Sequence, residues 1–258
     1  MNTETLDQPI VADVAVSAPA VVIESAAPAV AEGPNPFTAL GLDAALVRAV
    51  SDLGYTQPTE VQAKAIPLAM GSGKADEASI DLMVSSQTGS GKTAAFLLPV
   101  LNTLIAQKAI EAAAEQAEFE RQRAQAAASG EAAPKRAKRK NPMQPRNFKA
   151  AVPGALVLCP TRELAQQVAQ DAIELVKHCK NLRVANVVGG MPYQLQIAKL
   201  QNADLVVATP GRLLDLQRSL QIKLDKVQFL VVDEADRMLD LGFADDLEEV
   251  HQMTAQRK

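Results

Sequence analysis

Five short, mainly apolar runs recur down the chain, and the first two are each followed by a turn and then a stretch with helical spacing, Thr93–Ile105 and Glu163–Lys177. They are Ile80–Ser85, Ala155–Cys159, Arg183–Val188, Leu205–Ala208 and Phe229–Val232. A strand with one face in water alternates polar and apolar residues. A strand that is apolar throughout must be covered on both sides, which is the condition inside a parallel sheet flanked by helices. The expected fold is therefore α/β: a doubly wound, mostly parallel sheet with helices on both faces. With 258 residues, 48% of them apolar, the chain can bury one sizeable core and carry extra sequence besides.

The extra sequence lies in two places. Residues 1–35 mix Ala, Val and Pro without strand or helix periodicity, and a disordered leader is expected there. Order should begin near Phe37 and continue to 258. Gly41–Leu53 and Thr59–Met70 have helical patterns, the second capped by Thr59, and residues 71–79 form a polar loop. A second departure spans about 106–152. Its first part is rich in Ala, Glu, Gln and Arg and can prolong the helix that starts at Thr93. Its second part, Lys135–Lys149, carries seven basic residues and no acid, and should be disordered.

The first apolar run leads into Ser86-Gln87-Thr88-Gly89-Ser90-Gly91-Lys92-Thr93 and then an apolar helix. A strand, a glycine-rich turn and a helix in that order bring backbone N–H groups and the positive helix end onto one anion. Lys92 would reach the terminal phosphates and the Thr93 hydroxyl would hold Mg2+. The general pattern begins with Gly, where this chain has Ser86. A look-alike, Gly71-Ser72-Gly73-Lys74, has Ala75 after the lysine and no strand before it, and is a loop. A phosphate loop needs a carboxylate to position the metal and the attacking water. Asp233 and Glu234, at the end of the run Phe229–Val232, stand where ligands bind in open α/β sheets. Asp233 would hold the metal through water, and Glu234 would orient and deprotonate the hydrolytic water.

Together with these motifs, several others make the sequence resemble the DEAD-box RNA helicases of bacterial type, over roughly Phe37 to Lys258. Phe37, Tyr55, Pro58 and Gln62 look like the family's adenine-reading motif. The resemblance implies that Gln62 hydrogen-bonds the adenine edge while Phe37 stacks on the ring. Pro160-Thr161-Arg162, Gly189-Gly190 and Thr209-Pro210-Gly211-Arg212 resemble its RNA-backbone motifs, which position a strand without reading its sequence. The resemblance implies a RecA-like P-loop domain, ATP and Mg2+ as cofactors, RNA as partner, and RNA-stimulated ATP hydrolysis coupled to local duplex unwinding. It also implies a second helicase domain downstream, of which nothing occurs before Lys258. If the chain naturally ends there, the alternative is a non-catalytic nucleotide- and RNA-binding module. A P-loop motor acting on DNA or protein fits the adenine and Thr-Pro-Gly-Arg motifs less well.

Net charge is −4, so overall basicity does not announce a nucleic-acid partner. Cys159 and Cys179 suggest reduced thiols rather than a disulfide or zinc framework. The leader lacks the basic start of a signal peptide, and no run of roughly 18 apolar residues occurs. A cytoplasmic protein without a membrane span is expected.

Overall fold

The computed structural model describes residues 35–71, 81–129 and 149–254. The leader 1–34, most of the polar loop and the tract 130–148 lie outside the described residues.

A 3-10 turn at Pro36–Leu40 opens the fold and is followed by α1 (Ala44–Asp52) and α2 (Glu60–Met70). Then come α3 (Lys92–Ser129), β1 (Ala155–Leu158), α4 (Arg162–Leu175), β2 (Val184–Val187) and α5 (Tyr193–Leu200). The remaining elements are β3 (Leu205–Ala208), α6 (Pro210–Arg218), β4 (Phe229–Val232), α7 (Ala235–Asp240) and α8 (Ala244–Met253). The four strands form a parallel sheet in the order β2-β3-β1-β4.

Two hydrophobic clusters explain why the strands are apolar throughout. Ala155, Val157, Leu205 and Val207 point into one cluster with Leu46, Ile66, Leu97, Leu98, Leu101, Val168 and Ala172 of α1 to α4. Their neighbours Leu156, Leu158, Val206 and Ala208 point the other way, against Leu200, Leu213, Leu214, Met238 and Val250 of α5 to α8. Successive strand residues face opposite sides, so each strand is in contact with helices above and below. The doubly wound expectation is met.

Among the described residues one expected strand is absent. Asp81–Gln87 runs without regular secondary structure, and Ile80 lies outside the described residues. The segment has apolar residues but no ladder partner, and a strand exists only through its partner. Leu82 and Val84 are exposed, and Met83 is 98% exposed. Correspondingly, β4 ends the sheet with its outer edge unpaired among the described residues, and Val232 is exposed.

Helix α3 is longer than the sequence pattern required, at 38 residues. By length and mean composition alone it could cross a membrane, although no uninterrupted run of about 18 apolar residues occurs in it. The apolar residues responsible, Leu97, Leu98, Val100, Leu101 and Leu104, are those buried against the sheet. Beyond Leu104, α3 is fastened at the start of the strands. Lys108 Nζ lies 2.8 Å from Asp204 Oδ1, just before β3, and Gln107 donates to Gln228, just before β4. Lys149 lies at the same end, its carbonyl accepting from Gln201 Nε2.

Candidate functional site

The functional motifs collect at the opposite end of the sheet, where the strands finish and the helices begin. The phosphate loop occupies residues 86–93. Gly89 and Gly91 hold φ of +80° and +86°, a left-handed conformation that side-chain-bearing residues avoid. The Ser86 and Ser90 hydroxyls are 2.7 Å apart across the turn. Lys92, the first residue of α3, turns its ammonium back onto the loop, donating to the carbonyls of Ser86 and Gln87. Its charge thus sits within the curl of backbone that an anion would fill. Thr93 follows, partly buried, one residue into the helix.

Gln62 abuts this loop directly. Thr59 and Gln62 form a capping box: Thr59 Oγ1 accepts from Gln62 N, and Gln62 Oε1 accepts from Thr59 N at 3.0 Å. Gln62 Nε2 then donates to the Gly91 carbonyl at 3.2 Å. A Cβ at Gly91 would lie 2.5 Å from that nitrogen, so the glycine also makes room for the amide. Gln62 is only 4% exposed. One hydrogen on Nε2 and one lone pair on Oε1 are left over, the pair needed to meet an adenine edge. The sequence pointed to Gln62 as a base reader but did not reveal its bond to the phosphate loop. The capping-box spacing Thr59-x-x-Gln62 was the signal for half of it.

Phe37 is placed differently from what stacking on a base requires. It is fully buried in the cluster with Leu46, Val50 and Ile66 and presents no open face. Its neighbour Tyr55, with ring centroids 6.4 Å apart, is the exposed aromatic at this place. Burial, with Asp171 and Glu174 nearby, raises the Tyr55 phenol above its usual range. Pro58 lies in the turn leading into Thr59.

The carboxylates arrive on β4. Asp233 N donates to Leu158 O at 2.9 Å, extending the ladder with β1 by one residue. Glu234 then takes φ 51° and ψ 52°, a left-handed conformation costly for a residue with a side chain, and starts α7. This sharp turn leaves both carboxylates at the sheet end. Arg237 Nη1 is 3.1 Å from Glu234 Oε2 and fixes that side chain. Burial first, and the Glu234 charge second, lift the Asp233 carboxyl above the ordinary range, while a backbone hydrogen bond from Glu234 and the Lys92 charge pull the other way. A desolvated carboxylate crowded by another is one that a cation would relieve. With the Thr93 hydroxyl, it suits Mg2+, which takes few protein ligands and keeps water and phosphate oxygens. Among the described residues no cluster of three His, Cys, Asp or Glu forms a dedicated metal cage. Burial also raises the Cys159 thiol, beside these acids, well above the usual thiol range and the Cys179 thiol to about 11, so neither is a ready nucleophile.

The remaining motifs line the same end. Pro160 and Thr161 follow β1, and Thr161 Oγ1 caps α4 by accepting from Leu164 N. Arg162 is exposed, its guanidinium lying against Gly190 of the Gly189-Gly190 turn after β2. Thr209 precedes α6, which begins Pro210-Gly211-Arg212; the Thr209 side chain makes no capping bond. Arg212 sits over the Tyr193 ring, 5.7 Å from its centroid.

The family model for DEAD/DEAH box helicases matches residues 59–258. The chain belongs to the DEAD/DEAH box helicase family. It is 40% identical over 224 residues to the DEAD-box ATP-dependent RNA helicase 52A of Oryza sativa subsp. japonica, covering 86% of this chain and 32% of that protein. Against the ATP-dependent RNA helicase SrmB of Escherichia coli it is 38% identical over 223 residues, covering 86% of this chain and 40% of the relative. The chain thus spans about a third of the length of these helicases. A crystal structure of a hypothetical ATP-dependent RNA helicase from Sulfolobus tokodaii superimposes with a TM-score of 0.59 at 33% identity. It covers 83% of this chain and 48% of the other. The RecA-like expectation from the sequence agrees with membership of this helicase family.

Proposed function

We propose that the chain is the ATP-binding first motor domain of an ATP-dependent RNA helicase, binding ATP with Mg2+ and gripping an RNA backbone. The observation that carries this is the bond between Gln62 and Gly91. It joins a base-reading amide to the loop that would hold the phosphates, while the Lys92 charge acts on Asp233 from the same loop. On this reading an entering phosphate takes over Lys92 from the carbonyls of Ser86 and Gln87. The remaining hydrogen and lone pair of Gln62 meet the adenine edge. Tyr55 offers a ring for stacking without rearrangement, and Phe37 does so only after it is uncovered. Thr93 and, through water, Asp233 would hold Mg2+, which would neutralise charge on the phosphate oxygens. Glu234, oriented by Arg237, takes the proton of a water whose oxygen attacks the γ-phosphorus. The bond to the bridging oxygen breaks, giving ADP and inorganic phosphate.

RNA runs across the strand ends, with Thr161, Arg162, Gly189, Gly190, Thr209, Pro210, Gly211 and Arg212 on its sugar-phosphate backbone. Such contacts carry no sequence preference. In this reading a second motor domain supplies arginines to the developing phosphoryl charge, worth about 10³–10⁵ in rate. Residues 1–258 on their own should therefore bind ADP but turn ATP over slowly. Titration with fluorescent ADP and GDP, alongside steady-state ATPase with and without RNA, tests this. Lys92→Ala should abolish ADP binding. Equal affinity for ADP and GDP, or fast RNA-stimulated turnover by residues 1–258 alone, would refute the assignment.

A further inference from the structure

Arg162 and Arg212 are set in the same way. Among the described residues neither has a carboxylate within ion-pair distance, although the chain has more acids than bases. Both guanidinium groups lie instead on neutral surfaces, and both surfaces belong to the loop and first turn of α5.

For Arg162 the surface is Gly190. A Cβ built there would lie 2.5 Å from Nη1, 2.7 Å from Cζ and 2.8 Å from Nη2, so the guanidinium is spread flat over the glycine Cα. The turn that presents this glycine is pinned from below by Gln196. Its Nε2 donates to Val188 O at 2.9 Å and to Met191 O at 3.0 Å, one carbonyl on each side of Gly189-Gly190. Gln196 is fully buried and its Oε1 has no partner, a cost that an apolar side chain would avoid. The residue is used for its two donors. For Arg212 the surface is the Tyr193 ring, 5.7 Å from the guanidinium carbon. The Tyr193 hydroxyl is buried without a partner, so the ring face is the part engaged.

We propose that the first turn of α5 is a positioning element for the RNA grip. Gln196, acting through the Gly189-Gly190 turn, sets Arg162, and Tyr193 sets Arg212. The two charges are thereby held ready for phosphates without an acid to compete for them. The inference rests on the reading that Arg162 and Arg212 bind the RNA backbone. Neither Tyr193 nor Gln196 need touch RNA. An ion pair would hold an arginine as firmly but would neutralise it, whereas a glycine face and an aromatic ring fix the plane and leave the charge.

The test is a set of double-mutant cycles in the 258-residue chain, read by anisotropy of a labelled oligouridylate. ADP affinity and thermal unfolding are measured on every variant. Arg212→Ala should weaken RNA binding and flatten the salt dependence by about 0.7. Tyr193→Met should weaken binding about 2- to 5-fold, the range for a cation over a ring at a partly exposed site. It should cost nothing further when added to Arg212→Ala. Tyr193→Phe should bind like the parent. Gln196→Met should weaken RNA binding alone and not in the Arg162→Ala background. All variants should keep ADP affinity. Additive losses, or unchanged RNA affinity in Tyr193→Met and Gln196→Met while the arginine variants lose it, would overturn the proposal and leave the strand-binding reading intact. Loss of RNA binding in Tyr193→Phe would overturn it too, even if Tyr193→Met does not fold. If Arg162→Ala and Arg212→Ala themselves bind RNA normally, the strand-binding reading fails and takes this inference with it.

Discussion

Replacing Gly91 by alanine separates two costs that the phosphate loop combines at one residue. The first is conformational. Gly91 holds φ +86°, and an L side chain in that region costs about 1–2 kcal/mol. The second is steric. The new methyl would stand 2.5 Å from Gln62 Nε2 and 3.2 Å from Thr59 Oγ1, so Gln62 must leave the Gly91 carbonyl. Breaking a hydrogen bond of this kind costs about 1 kcal/mol net. Gly89 is the control, because its φ of +80° is similar and nothing lies within 4 Å of a built Cβ. Gly89→Ala should cost the strain alone, and Gly91→Ala about 1 kcal/mol more. In a domain of this size that difference lowers the midpoint by about 2–4 °C. Scanning calorimetry without nucleotide measures it. Repeating both substitutions in a Gln62→Ala background should erase the gap. If the two glycine variants melt together in the parent, or the gap survives without Gln62, the Gln62–Gly91 bond has no energetic weight and the coupling of base reader to phosphate loop is wrong.

Two further outcomes follow from the same geometry. The Asp233 carboxyl is raised by burial and by Glu234, so its favourable contribution to stability is complete at low pH and is lost as pH climbs through the raised value. Asp233→Asn should therefore melt higher than the parent at neutral pH in the absence of nucleotide and metal. An equal or lower midpoint would contradict the desolvation argument. Deleting residues 130–149 should weaken RNA binding and lower the salt slope by roughly 0.7 for each phosphate that the tract neutralises. ADP affinity should not change, because the part of α3 beyond Leu104 and Lys149 meet the domain at the strand starts, at the opposite end of the sheet from the phosphate loop; an unchanged slope would make the tract a spacer.

The sequence carried the sheet because its strands are buried on both faces, which leaves an apolar run that periodicity can find. Leu205–Ala208 and Phe229–Val232 emerged with the bounds expected. Residues 81–85 show the limit of that signal. Apolarity marks what could pair, and pairing depends on a neighbour that local composition does not encode. Helices α5 and α7 escaped for a different reason. Both are short, and α7 begins at Glu234, whose left-handed turn is made without a glycine to announce it. At the site, the motifs gave residue types and order, since Lys92, Asp233 and Glu234 have chemistry that few other residues can supply. Contacts between motifs remained invisible. The Gln62 bond to Gly91 joins residues 29 apart, and the bed that Gly190 makes for Arg162 needs three dimensions to be seen. Phe37 was named from the resemblance for its ring, which says nothing about which side of the ring faces the core.

Among the described residues the outer edge of β4 is unpaired, and this has a practical consequence. Phe229-Leu230-Val231-Val232 contains no charge and no proline, the devices that ordinarily guard a free strand edge, and only Asp233 closes one end. Its outward N–H and C=O groups form a template onto which an identical edge of a second molecule can add, continuing one sheet through both. Self-association of the isolated domain should therefore rise with protein concentration, and a lysine in place of Val232 should raise its solubility limit.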